Sequence, residues 1–110
     1  MKKNYFVVSA DRQIKRKIFI EDVLYLKADG SYTEIYFVDK QKITLSRLIK
    51  TFMFLTKDYK FYRLGRSNII NLNYCYRLIK ASKPYVIMAD GKKIFINKQT
   101  YNELLKMEFS

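Results

Sequence analysis

Hydrophobic and polar positions alternate along much of this chain, and short turn signals interrupt the alternation. Period two marks a half-buried strand, because successive side chains point to opposite faces. Asn4 to Val8 predicts a first strand, Ala10 to Gln13 a turn, and Ile14 to Ile20 a second strand with Ile14, Ile18 and Ile20 on one face. Glu21 and Asp22 break that run. Val23 to Ala28 predicts a third strand, Asp29-Gly30 a hairpin turn, and Ser31 to Val38 a fourth strand rich in β-branched and aromatic residues. Asp39-Lys40 closes the next hairpin, and Lys42 to Leu45 returns as a short strand.

The spacing then changes. Ser46 is a good helix N-cap, and Leu48, Ile49, Phe52 and Leu55 recur at helical intervals, which predicts one amphipathic helix over Ser46 to Leu55. Further on, Tyr74 to Lys80 and Tyr85 to Ala89 predict strands joined through Ser82-Lys83-Pro84. Asp90-Gly91 turns the chain into Lys93 to Ile96. Asn97 is placed to cap a last helix in which Tyr101, Leu104 and Leu105 share a face. The tally is mainly β with two short helices. With 3 Gly and 1 Pro, and no repeat or low-complexity segment, one compact domain over residues 1–110 is the expected partition.

Between these elements lies FYRLGRSNIINLN, Phe61 to Asn73, where Arg63, Arg66, Ser67 and Asn68 sit among Phe61, Leu64, Ile69, Ile70 and Leu72. The apolar residues are expected to hold a polar tip against the core. A solvated turn between strands is the plain reading. The functional one is a surface for phosphates and base edges, since arginine offers a planar fork of donors and serine and asparagine short positioning groups.

Charge favours the second. Lys and Arg number 22 against 10 Asp and Glu, a net +12 spread over several clusters, so a polyanion is the expected partner. These clusters include Arg12, Lys15, Arg16 and Lys17, then Lys80 and Lys83, then Lys92 and Lys93. No apolar run approaches the roughly 18 residues of a spanning helix, and no signal-peptide pattern opens the chain, so a cytoplasmic protein without membrane partners is expected. A lone Cys75 cannot form an internal disulfide, and its apolar strand suits a buried small hydrophobe.

The absence of histidine removes the usual imidazole base and the commonest metal ligand. Glu21-Asp22 and Asp29 with Glu34 are the near acidic pairs, and both sit at turns or strand exits where acids are ordinary. Nothing supplies the rest of a metal-dependent nuclease site. Neither enzymatic activity nor a cofactor is expected.

Taken in order, the elements resemble the LytTR family, the DNA-binding output domain of LytR/AlgR-type bacterial response regulators. The resemblance covers almost the whole chain. It runs through Phe19 to Leu26, ADGSYTEIY, the SRLIKTFMFL segment, FYRLGRSNIINL and the closing DGKKIFINKQTYNELL. It implies a mainly β, elongated fold of about ten short antiparallel strands in small sheets with two short helices. It also implies sequence-specific binding of double-stranded DNA for transcription regulation, by loop residues inserted into successive major grooves. Imperfect direct repeats and a dimer on DNA go with that reading. Typical members carry a receiver domain ahead of this unit, and none is expected within these 110 residues.

The resemblance places DNA contacts in three regions. The first falls on Ser31 and Tyr32; Tyr32 could equally pack as a strand-start aromatic. The second matches Arg63, Arg66, Ser67 and Asn71, with Gly65 where the family often has histidine, which moves the reading role to Arg66. Asn71 is expected to satisfy backbone groups instead. The third replaces a Ser-Arg pair by Asn97 and Lys98. Asparagine keeps the cap, whereas lysine keeps phosphate attraction without the bidentate fork, and Gln99 next to it could contact an adenine edge. Arg63 and Ser67 are expected to hold phosphates. An RNA-binding protein and a non-enzymatic protein-interaction module remain the alternatives.

Overall fold

The computed structural model describes residues 4–9 and 11–110. Among them are ten strands: β1 Tyr5–Ser9, β2 Lys15–Phe19, β3 Val23–Asp29, β4 Tyr32–Phe37, β5 Lys42–Leu45, β6 Phe61–Leu64, β7 Asn68–Asn71, β8 Cys75–Ile79, β9 Tyr85–Met88 and β10 Lys93–Phe95. Two α-helices accompany them, α1 Phe54–Asp58 and α2 Lys98–Glu108. All pairings are antiparallel, in a β1-β2 ribbon, a five-stranded sheet ordered β5-β4-β3-β7-β6, and a three-stranded sheet ordered β10-β9-β8. The molecule is elongated, 47 × 34 × 25 Å.

The central sheet separates two cores, and β3 serves both. Val23 and Leu26 join Ile18, Ile35, Phe52, Leu55 and Ile69 in the first, while Leu24 and Tyr25 join Ile70, Val86, Met88 and Leu104 in the second. A register shift between Val23 and Tyr25 explains why two neighbours enter the same core, since a bulge breaks strict alternation. Tyr25 stacks on Tyr36 with centroids 4.7 Å apart and donates its hydroxyl to Asp90 Oδ2 at 3.2 Å, tying the central sheet to the β9–β10 turn. Burial, then the Asp90 carboxylate, hold its phenol well above the ordinary value.

Several elements depart from expectation. The helix expected over Ser46 to Leu55 is instead a bend, a 3-10 turn over Ile49–Phe52 and the short α1. Ile49, Phe52 and Leu55 are the buried residues, spaced by three, while Leu48 is 46% exposed. An interval of three suits the i+3 bonds Thr51 N–H to Leu48 O and Met53 N–H to Lys50 O, which keep successive apolar residues on one side. Ser46 therefore caps nothing; the residue before the 3-10 turn is Leu48.

Ile14 lies before β2 and is 53% exposed, and Ile20 begins a 3-10 turn, so Ile18 alone of that trio is fully buried. The expected turn beginning at Ala10 lies partly outside the described residues. Its remainder is an Asx turn in which Asp11 Oδ1 accepts from Gln13 N–H at 2.8 Å. In α2 Leu104 is buried, whereas Leu105 is 39% exposed and does not share its environment.

Candidate nucleic-acid interface

Strand register determines where the three expected contact regions fall. Asp29 pairs with Tyr32, so the β3–β4 turn at Gly30-Ser31 caps one end of the central sheet. Lys27 pairs with Asn68, so the β6–β7 turn, Gly65 to Ser67, lies at the same end. The β6–β7 turn is tied to the end of β3, Ala28 N–H donating to Ser67 O at 2.7 Å. The N-terminus of α2 completes the edge: Asn97, Ile96 and Thr100 form one wall of a groove whose other side includes Leu64 and Gly65.

Each segment has a local cause. Gly30 and Gly65 both sit at φ +59, a left-handed conformation that strains residues with a Cβ, so glycine at 65 is what this turn requires. Asn97 Oδ1 accepts from Thr100 N–H at 2.8 Å, which is the expected cap and fixes the first turn of α2. That helix is anchored to β6 by Tyr62 donating to Glu103 and by Lys60 to Glu108 at 3.1 Å. Burial and the Glu103 carboxylate push the Tyr62 phenol up to about 12.

The side chains divide into two groups. Ser31, Tyr32, Arg66, Ser67 and Lys98 are exposed and make no side-chain hydrogen bond or ion pair among the described residues; Tyr32 is 49% exposed. The others are already engaged. Arg63 turns back on its own hairpin, donating from Nε to Gly65 O at 3.1 Å and from Nη2 to Arg66 O at 3.2 Å. Gln99 Nε2 donates to Glu103 Oε1 at 3.3 Å across one turn of α2.

Asn71 is 2% exposed. Its Nδ2 donates to Val23 O at 2.9 Å and its Oδ1 accepts from Asn73 N–H at 3.1 Å, the backbone-satisfying role expected of it. Cys75 is buried, and burial pushes its thiol up to about 11.

One basic residue was missed. Where the chain bends after β5, Arg47, Ser46 and Tyr32 line one cleft at the same end of the sheet. Thr33 Oγ1 donates to Arg47 O at 2.7 Å and holds that backbone in place. The helix expected to start at Ser46 concealed this arginine.

Among the described residues no three His, Cys, Asp or Glu side chains are grouped to hold a metal ion, and no helix is long and apolar enough to cross a membrane. The protein is mainly β, with an exposed edge of turns that carries Arg66 and Lys98. The LytTr DNA-binding domain family matches residues 15–108, and the chain belongs to that family. The family is non-catalytic, and membership implies DNA binding for transcription regulation. A similar solved structure is the LytTr DNA-binding domain of a Bacillus cereus protein described as a methyl-accepting/DNA response regulator. It has a TM-score of 0.70 and 20% identity, with 94% of this chain and 95% of that one covered. No match is found among curated proteins.

Proposed function

We propose that this chain is a sequence-specific reader of double-stranded DNA, working as one unit in bacterial transcription regulation. The observation that carries the reading is the alignment of three separate segments, around Ser31, Arg66 and Lys98, on one basic edge. Arg66 and Lys98 read or clamp the duplex, Tyr32 and Gln99 assist, and Ser31, Ser67 and Arg47 hold phosphates. Arg63 and Asn97 shape the turns that carry them.

In this reading the turns and the start of α2 enter successive major grooves. Two copies on imperfect direct repeats would extend the footprint. A cytoplasmic location follows from a chromosomal target.

Selection of bound sites from random duplexes tests the reading, with RNA as competitor. On a selected site, log K should fall with log salt by about 0.9 for each phosphate neutralised. Arg66→Ala should weaken that site by on the order of 1–3 kcal/mol and random DNA much less. A flat salt response, or preferential capture of RNA, would overturn it.

A further inference from the structure

Phe95 lies at the end of β10, next to buried Ile94, yet is 59% exposed. One side of its ring is occupied. Tyr85 meets it edge-on with centroids 5.6 Å apart at 65°, and Lys93 Nζ lies 4.3 Å from the Tyr85 centroid and 5.8 Å from that of Phe95. These contacts hold the ring in place and leave the rest of it uncovered.

The uncovered part lines the groove, about 330 Å³, formed with Leu64, Gly65, Ile96, Asn97 and Thr100. Two walls of that groove belong to contact segments already described, the turn carrying Arg66 and the N-terminus of α2 carrying Lys98. The mouth is open. A Cβ at Gly65 would meet no atom within 4 Å, so this side of the groove is not crowded. Phe95 thus lines the same groove as Gly65, which precedes Arg66, and Asn97, which precedes Lys98.

Phenylalanine has neither donor nor acceptor to offer a base edge. Among the groups displayed in the major groove, the C5-methyl of thymine is the apolar one, and it is the group an aromatic side chain recognises by contact. We propose that Phe95 is a specificity-determining residue that reads a thymine methyl between the positions addressed by Arg66 and Lys98. This rests on the duplex-reading function proposed above and adds a base preference to it.

The test uses the full chain and its selected operator, with each thymine replaced in turn by deoxyuridine, which removes only the methyl. At one position the wild type should lose about three- to fivefold in affinity, the equivalent of one buried methyl group. Phe95→Ala should bind thymine and uracil equally there and retain its salt dependence. Exposure of the residue predicts only a small drop in the thermal melt of this variant, from the lost contacts with Tyr85 and Lys93.

Operator binding with no thymine-to-uracil discrimination at any position overturns the inference and leaves the duplex-reading function standing. So does a Phe95→Ala variant that keeps the wild-type ratio. If the wild type selects no duplex site at all, both fall together.

Discussion

Replacing Arg63 with alanine removes two hydrogen bonds that close the β6–β7 turn, to the carbonyls of Gly65 at 3.1 Å and Arg66 at 3.2 Å. Both acceptors lie at an exposed turn, so each bond belongs near the lower part of the range for net hydrogen-bond contributions, about 0.5–1 kcal/mol. The turn therefore loses roughly 1–2 kcal/mol of ordering, which must be restored on binding and lowers affinity by about 5- to 30-fold. Fluorescence anisotropy on the selected operator across a salt series separates this from a direct contact. A bracing residue changes the intercept of log K against log salt and leaves the slope. A phosphate contact would make the slope shallower by about 0.9. Arg63→Lys should behave like the alanine variant, since an ammonium does not span two carbonyls as a guanidinium fork does. A shallower slope for Arg63→Ala, together with recovery in Arg63→Lys, would refute the bracing role.

Two further predictions concern stability. Asn71→Ala leaves the carbonyl of fully buried Val23 without its donor and frees Asn73 N–H, so urea unfolding should show a loss of about 2–4 kcal/mol; a loss under about 1 kcal/mol would contradict it. Cys75 has its thiol raised from 9.0 to about 11 by burial and then by Glu108, so its contribution is complete below the unfolded value and is lost as pH rises through the folded one. Wild-type stability should fall more steeply than that of Cys75→Ala between these two pH values, and parallel curves by urea titration would count against it.

Strands such as β4 were legible because they carry their own alternation, with Thr33, Ile35 and Phe37 on one face, whereas β6 and β7, in a segment read as a polar tip, were not. The Ser46 to Leu55 segment was not, because Ile49, Phe52 and Leu55 at intervals of three satisfy a 3-10 path as well as a helical one. Packing against the central sheet decides between them. At the interface, Asn71 and Asn97 were readable from local backbone chemistry. The inward turn of Arg63 was not, because its acceptors are carbonyls that converge only once the hairpin has closed. Arg47 was hidden for a related reason: its place beside Tyr32 depends on the bend after β5, where a helix was expected.

The bond from Ala28 to Ser67 has a kinetic consequence. It fastens the β6–β7 turn to β3, which belongs to both cores, while α2 is pinned to β6 through Tyr62 and to Lys60 just before it. The segments proposed to contact DNA are thus held in place before any encounter. A reader preorganised in this way has little conformational entropy to surrender on docking. Its association rate should then be governed by the attraction between a highly basic protein and the duplex, and its discrimination between sites by how long it stays.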